Sequence, residues 1–204
     1  MSKTSKTIVD AYKDKFKQLI ILVSGFSGSG KGILSRSLAK DFKIKYMNLN
    51  DYYKEDWDKT SDAIEIDQHK IIDWDTPDAV DWDKFNEDIN NNKKEGIIIS
   101  GFSFPKNKLT FNTDFHVHLK ITKDDLIQNR KDYVNEKDDS KVAELDDELV
   151  RRILNKISYP HYMRSLEDSF INKFIQVKSG REEIQKTYDS IFDYLVENIE
   201  KKIY

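Results

Sequence analysis

Gly25-Phe26-Ser27-Gly28-Ser29-Gly30-Lys31-Gly32 stands between a solid apolar run, Leu19-Ile20-Ile21-Leu22-Val23, and a helical pattern from Ile33-Leu34 to Leu38-Ala39. Strand, glycine loop, lysine and helix, in that order, are the context in which a G-x-x-x-x-G-K string cradles phosphate. Glycine lets the backbone wrap closely around an anion, and successive N–H groups point inward with a helix N-terminus behind them. Lys31 adds a point charge for the outer phosphates of a nucleotide. A flexible Gly/Ser turn would explain the composition of the loop but not its place between these two elements.

Working outward, the helix after the loop is expected over Lys31 to about Phe42, burying Ile33, Leu34, Leu38 and Ala39. Before the loop, Ile8, Tyr12, Phe16 and Leu19 recur at helical spacing, so residues 1–18 read as a helical arm. Ile44-Lys45-Tyr46-Met47 reads as a second strand, Ile97-Ile98-Ile99 as a third and Phe115 to Ile121 as a fourth. Phe174-Ile175-Gln176-Val177 supplies a fifth. Helices are expected over Trp82–Lys94, Lys123–Val134, Asp146–Ile157 and Arg181–Ile203, with a loop tip at Asn135–Lys141. Tyr159-Pro160 interrupts the pattern, which resumes from Tyr162 to Phe170. Strands alternating with helices give an α/β domain with a mostly parallel sheet of about five strands and helices on both faces.

The 204 residues suit one such domain, and 38% hydrophobic with 35% charged residues describes a globular chain. A net charge of −3 offers no basic surplus for nucleic acid. No apolar stretch reaches the roughly 18–20 residues of a membrane span, and Met1–Lys6 lack the apolar core of a secretory signal. Neither nucleic acid nor membrane is therefore expected as a partner, and a cytoplasmic location is. The absence of cysteine excludes disulfides, thiolate catalysis and cysteine metal sites.

Between the second strand and the next helix lies a long acidic, aromatic segment, residues 48–83, with Tyr52, Tyr53, Trp57, Trp74 and Trp82. Segments of this length usually carry function, so it is the candidate acceptor-binding segment. Ligands of open α/β sheets gather outside the carboxyl ends of the strands, where a carboxylate after the second strand would face the cradle. Asn50-Asp51 occupies that place. The tryptophans suit either base stacking or packing, with packing favoured for Trp82.

Three segments together resemble the uridine/cytidine kinase and nicotinamide riboside kinase group of P-loop kinases: Gly25–Lys31, Asn50-Asp51-Tyr52-Tyr53-Lys54, and Asp73-Trp74-Asp75-Thr76-Pro77-Asp78-Ala79-Val80-Asp81. The last is similar to the uridine kinase signature N-[FY]-D-H-P-x-A-x-D, and Thr76 in place of His leans toward the nicotinamide riboside branch. Tyr159-Pro160-His161-Tyr162 extends the likeness. The resemblance implies transfer of the terminal phosphoryl group of ATP, with Mg²⁺, to the ribose 5′-hydroxyl of a small-molecule nucleoside. Gly25, Ser27, Gly28, Ser29, Gly30, Lys31 and Gly32 would hold the nucleotide. Asn50, Tyr53 and Asp75 would hold the acceptor, Asp75 at the place that contacts the ribose hydroxyls. Lys31, Asp51 and Arg130 would serve catalysis, with Asp51 also the candidate metal ligand, and Lys178-Ser179-Gly180 would flank the adenine.

The chain also departs from that pattern. Gly32 stands where Ser or Thr commonly meets Mg²⁺, Asn50 aligns with the catalytic Asp, and Ser100 replaces an acidic residue after the third strand. Asn cannot accept a proton as a carboxylate does, so either Asp51 takes the role or base assistance is lost. Around Arg130 the arginines are sparser than in the family, Arg151, Arg152 and Arg164 following later. A degenerate homologue that binds nucleotide or a partner without transfer is the second reading. A nucleoside monophosphate kinase is the third; it shares Gly-Lys-Gly but leaves Asp75–Asp81 unexplained. His116 and His118 share a strand face. They make a conceivable metal pair, but no third ligand is evident.

Overall fold

The structure is a computed structural model and describes residues 7–129 and 147–204. Five parallel strands form the sheet: β1 (Ile20–Gly25), β2 (Lys45–Asn48), β5 (Ile97–Gly101), β6 (Phe115–Ile121) and β7 (Lys173–Val177), in the order β2-β5-β1-β6-β7. β1 lies at the centre, Ile21 opposite Ile98 on one side and Phe115 on the other. Every residue of β1 is buried, which is why the strand reads as an unbroken apolar run and not as an alternating one.

Side chains alternate across the sheet. Ile21, Val23, Ile98 and Val117 pack under α2 (Lys31–Phe42) and the C-terminal helix Arg181–Ile203, where Ile191, Leu195 and Ile199 are fully buried. Ile20, Leu22, Ile97 and Ile99 face Phe85 and Ile89 of α4 (Trp82–Asn92). The arm helix α1 (Ile8–Phe16) starts at a capping box, Thr7 accepting from the Asp10 N–H at 3.1 Å. Its Tyr12 hydroxyl donates to Asp114, whose other oxygen accepts the Ile20 N–H at 2.7 Å, so the arm is pinned to the start of β1. Among the described residues no helix is long and apolar enough to cross a membrane.

Three local expectations change. Residues 48–83 contain an antiparallel hairpin, β3 (Ile64–Ile66) and β4 (His69–Ile71), turning through Asp67 and Gln68 at φ 50° and 67°. Three-residue strands around Asp-Gln, not Asn-Gly or Asp-Gly, leave little periodic signal. Ile66 gains burial against Leu149 and Ile157, far along the chain. Ile33, expected inside, is 58% exposed, because this first turn of α2 borders a cleft rather than the sheet. Pro160 does not break the helix: α5 (Asp147–Ile153; α3 being the short Trp57–Thr60) runs through a π turn, Leu154–Ser158, directly into α6 (Tyr159–Asp168). The wider turn accommodates the missing N–H and the ring of proline. The predicted loop tip Asn135–Lys141 and the candidate Arg130 lie outside the described residues.

Candidate functional site

The parallel order brings the ends of all five strands to one edge of the sheet, and the glycine loop leaves the central one. Gly25, Gly28 and Gly30 have φ of 152°, 89° and 81°. At Gly25 a Cβ would sit 2.8 Å from the Leu119 carbonyl oxygen and 3.0 Å from Ser29 Oγ, so only glycine fits. Gly30 is the N-cap of α2, no side chain caps that end, and its first turn carries no acidic residue. Free N–H groups and the positive end of the helix dipole therefore remain available to an anion. This backbone fits a phosphate chain.

Lys31 Nζ donates to the Phe26 carbonyl at 3.0 Å. Burial pulls its pKa down to about 8, against the charge of Asp75, which favours the ammonium. Phe26 stacks on Tyr162 of α6 with ring centroids 4.3 Å apart, and the Asn129 amide donates to the Gly28 carbonyl at 3.1 Å. The loop is thus gripped from the far side of the chain. Between the loop and the α5–π-turn segment lies a cleft of about 1190 Å³ holding Lys31, Asp75, Ser158, Asn129 and Gly180 on its walls. Small-molecule sites typically measure about 300–1,000 Å³, so this space is ample for a small ligand.

The motif residues divide by what they touch. Thr76 caps the short turn Pro77–Ala79, Asp81 caps α4, and Ala79 is buried, so much of Asp73–Asp81 is structural. Asp75 is the part that lines the cleft. Burial raises its carboxyl, while a hydrogen bond from Ser158 works the other way. Tyr53 lies beside Trp74, centroids 5.2 Å apart; burial and the charges of Asp75 and Asp73 push its hydroxyl up to about 12. Asn50 and Asp51 sit exposed in the turn Leu49–Tyr52 and are not among the cleft-lining residues. Arg151 pairs with Asp124, Arg152 with Asp67 and Glu148, and Arg164 donates to His161. Trp57 and Trp82 spend their N–H groups on the Asp73 and Pro77 carbonyls.

Sequence reasoning missed Ser158 and Asn129. Ser158 is brought inward by the π turn, whose one sequence sign is Pro160 within a helical pattern. It also missed what fills the space beside Gly32. The Tyr46 hydroxyl lies 3.6 Å from where a Cβ at Gly32 would be, and it hydrogen-bonds Ser100 Oγ at 2.8 Å. This neutral set does not suit Mg²⁺, which is usually held by one or two carboxylates besides phosphate and water. Among the described residues no group of three or more His, Asp or Glu is placed to hold a metal. Any such ion would depend on phosphate and water. Because a side chain at Gly32 meets only an ordinary contact, Gly32→Thr is expected to fold normally. It should also tighten Mg-nucleotide binding relative to metal-free nucleotide, in calorimetry with and without EDTA. An unchanged metal dependence would contradict this account of the site.

Directly behind the loop, Ser24 bridges two buried histidines, 2.6 Å from His116 Nε2 and 2.7 Å from His118 Nδ1. His116 Nδ1 faces the Phe170 carbonyl at 2.9 Å and must be the donor there. Its Nε2 then accepts from the Ser24 hydroxyl, and Ser24 accepts from His118 Nδ1. His118 Nε2 is left buried without a partner. Burial draws the two rings down to about 4 and about 3. This pair is a neutral strut between β1 and β6.

No protein-family model matches the sequence. A stretch of 121 residues, 59% of this chain, is 27% identical to nicotinamide riboside kinase of Saccharomyces cerevisiae. It spans about half (48%) of that protein's length. A gluconokinase from Sinorhizobium meliloti 1021 superposes with TM-score 0.54 at 13% identity, covering 92% of this chain and 98% of that one. Shikimate kinase from Acinetobacter baumannii, in complex with shikimate, superposes with TM-score 0.52 at 14% identity, covering 91% and 98%. With the strand order, these likenesses establish the fold as that of the P-loop kinases.

Proposed function

We propose that this protein is a phosphotransferase that moves the terminal phosphoryl group of ATP to a hydroxyl of a small molecule, a nucleoside at its ribose 5′-position. The observation that carries this reading is the uncapped glycine cradle with Lys31, facing Asp75 across one cleft. The partial match to a nicotinamide riboside kinase and Thr76 at the position of the uridine kinase His favour nicotinamide riboside over uridine and cytidine.

Phosphoryl transfer is mostly positioning and charge neutralisation. The loop N–H groups bind the phosphates, Lys31 spreads the charge on the outer oxygens, and Val177 and Gly180 border the base end of the cleft. Tyr53 and Asp75 hold the acceptor. Mg²⁺, when bound with ATP, would supply further charge neutralisation. A second reading has its own support: Gly32, Asn50 and the Tyr46–Ser100 pair describe a neutral metal side, as expected of a homologue that binds nucleotide without transfer. ATP turnover across nicotinamide riboside, uridine, cytidine, gluconate and shikimate separates the two. Turnover with a nucleoside supports the first, and nucleotide binding without turnover on any acceptor establishes the second.

A further inference from the structure

We propose that Arg36 is a phosphate-binding residue of this site, its guanidinium supplying positive charge on the side of the cradle where Gly32, Tyr46 and Ser100 offer a divalent ion no carboxylate. The proposal rests on the nucleotide half of the phosphotransferase reading and deepens it. The phosphate chain is held by two side-chain cations and binds without a metal.

Arg36 stands four residues after Gly32 on α2. Residues at that spacing share a helix face, and helical side chains slope back toward the N-terminus. Arg36 therefore leans over the turn that holds Gly32, where no side chain stands in its way. Tyr46 fixes its direction. The Tyr46 hydroxyl lies 3.6 Å from where a Cβ at Gly32 would be, and the Arg36 guanidinium carbon lies over the Tyr46 ring, 5.0 Å from the centroid. One tyrosine thus reaches the open position with its hydroxyl and seats the guanidinium on its face. Gly30, Lys31, Gly32 and Arg36 all line the cleft.

A nucleoside triphosphate brings several negative charges to one place, and holding it is largely a matter of neutralising them. Lys31 and Arg36 are the cations among the described residues that line the cleft. On the metal side the Tyr46 hydroxyl bonds Ser100 Oγ at 2.8 Å, and Ser100 Oγ lies 3.5 Å from Asn48 Oδ1, so three neutral groups satisfy one another. Arg36 is not spent elsewhere. Arg151 pairs with Asp124 and Arg152 with Asp67 and Glu148, whereas among the described residues no carboxylate pairs with Arg36. Seating on a ring occupies the face of a guanidinium and leaves its N–H edge, the part that matches two phosphate oxygens at once. Lysine at this place would bring the charge without the fork.

The test is calorimetry of ATP and ADP with Mg²⁺ and with EDTA. The wild type is expected to bind ATP in EDTA to within about threefold of its affinity with Mg²⁺, because the site gives the ion no carboxylate. Arg36→Gln should lose about tenfold in EDTA, the low end for a charge-assisted hydrogen bond, and Mg²⁺ should restore part of that loss. Arg36→Lys should fall between the two. Arg36 is exposed, so both variants are expected to unfold at the wild-type temperature. If Arg36→Gln binds ATP in EDTA as tightly as the wild type, or if the wild type binds only with Mg²⁺, the inference is overturned. Weaker binding by Lys31→Ala then shows that the cradle reading stands without it. A wild type that binds neither nucleotide in either condition overturns the phosphotransferase reading and this inference with it.

Discussion

Lys31→Ala is expected to weaken ATP and ADP binding about 10- to 100-fold, the loss that follows from removing a charge-assisted hydrogen bond worth about 1.5–3 kcal/mol. The fold should survive. In the free protein Lys31 meets a backbone carbonyl, and burying its charge is a cost rather than a source of stability. The unfolding temperature of the variant should therefore equal or exceed that of the wild type. Because burial sets Lys31 at about 8, the wild type carries a second signature. Phosphates raise that value on binding, so above pH 8 binding must take up a proton, and affinity falls by as much as about tenfold per pH unit. The variant should show no such fall. Calorimetry at pH 7, 8 and 9 reads both effects, and equal affinities for the two proteins would remove the phosphate site from this loop.

A loss of stability on mild acidification is the second large effect. His116 and His118 titrate near 6.5 in an unfolded chain but only near 4 and 3 when folded. The unfolded state thus takes up protons first. Stability is full above pH 6.5 and falls as pH drops toward 4, by about 1.4 kcal/mol per pH unit for each histidine. Asp75 and Asp114, whose carboxyls burial raises, act in the opposite sense. The comparison between variants is therefore the proper readout. His118→Phe leaves the Ser24–His116 bond in place and should flatten the slope between pH 6.5 and 4.5 in urea unfolding. Parallel slopes for the two proteins would mean that the histidines are not held neutral.

Much of the scaffold was legible because its signals are local. The C-terminal helix Arg181–Ile203, α2 and β6 run over the residues that their periodicity and boundaries mark. The cradle was legible for the same reason: positive φ at Gly28 and Gly30 is a demand made within a few residues. Which motif residues border the cleft and which merely build was not legible. Thr76, Ala79 and Asp81 match a family signature, yet each serves a cap or the core, and only tertiary packing leaves Asp75 on the cleft.

The sequence by itself determined the parallel α/β sheet, the glycine cradle and Lys31, since backbone geometry and periodic burial are set by neighbours in the chain. Only the tertiary structure decided which carboxylate shares the cleft with Lys31, what stands beside Gly32, and how Ser24 joins two histidines. Asp75 reaches the cleft against Ser158, 83 positions further on, and His116 lies 92 positions from Ser24. Burial, charge separation and hydrogen-bond partners at such separations depend on how strands and helices stack. No window of sequence contains both sides of those contacts.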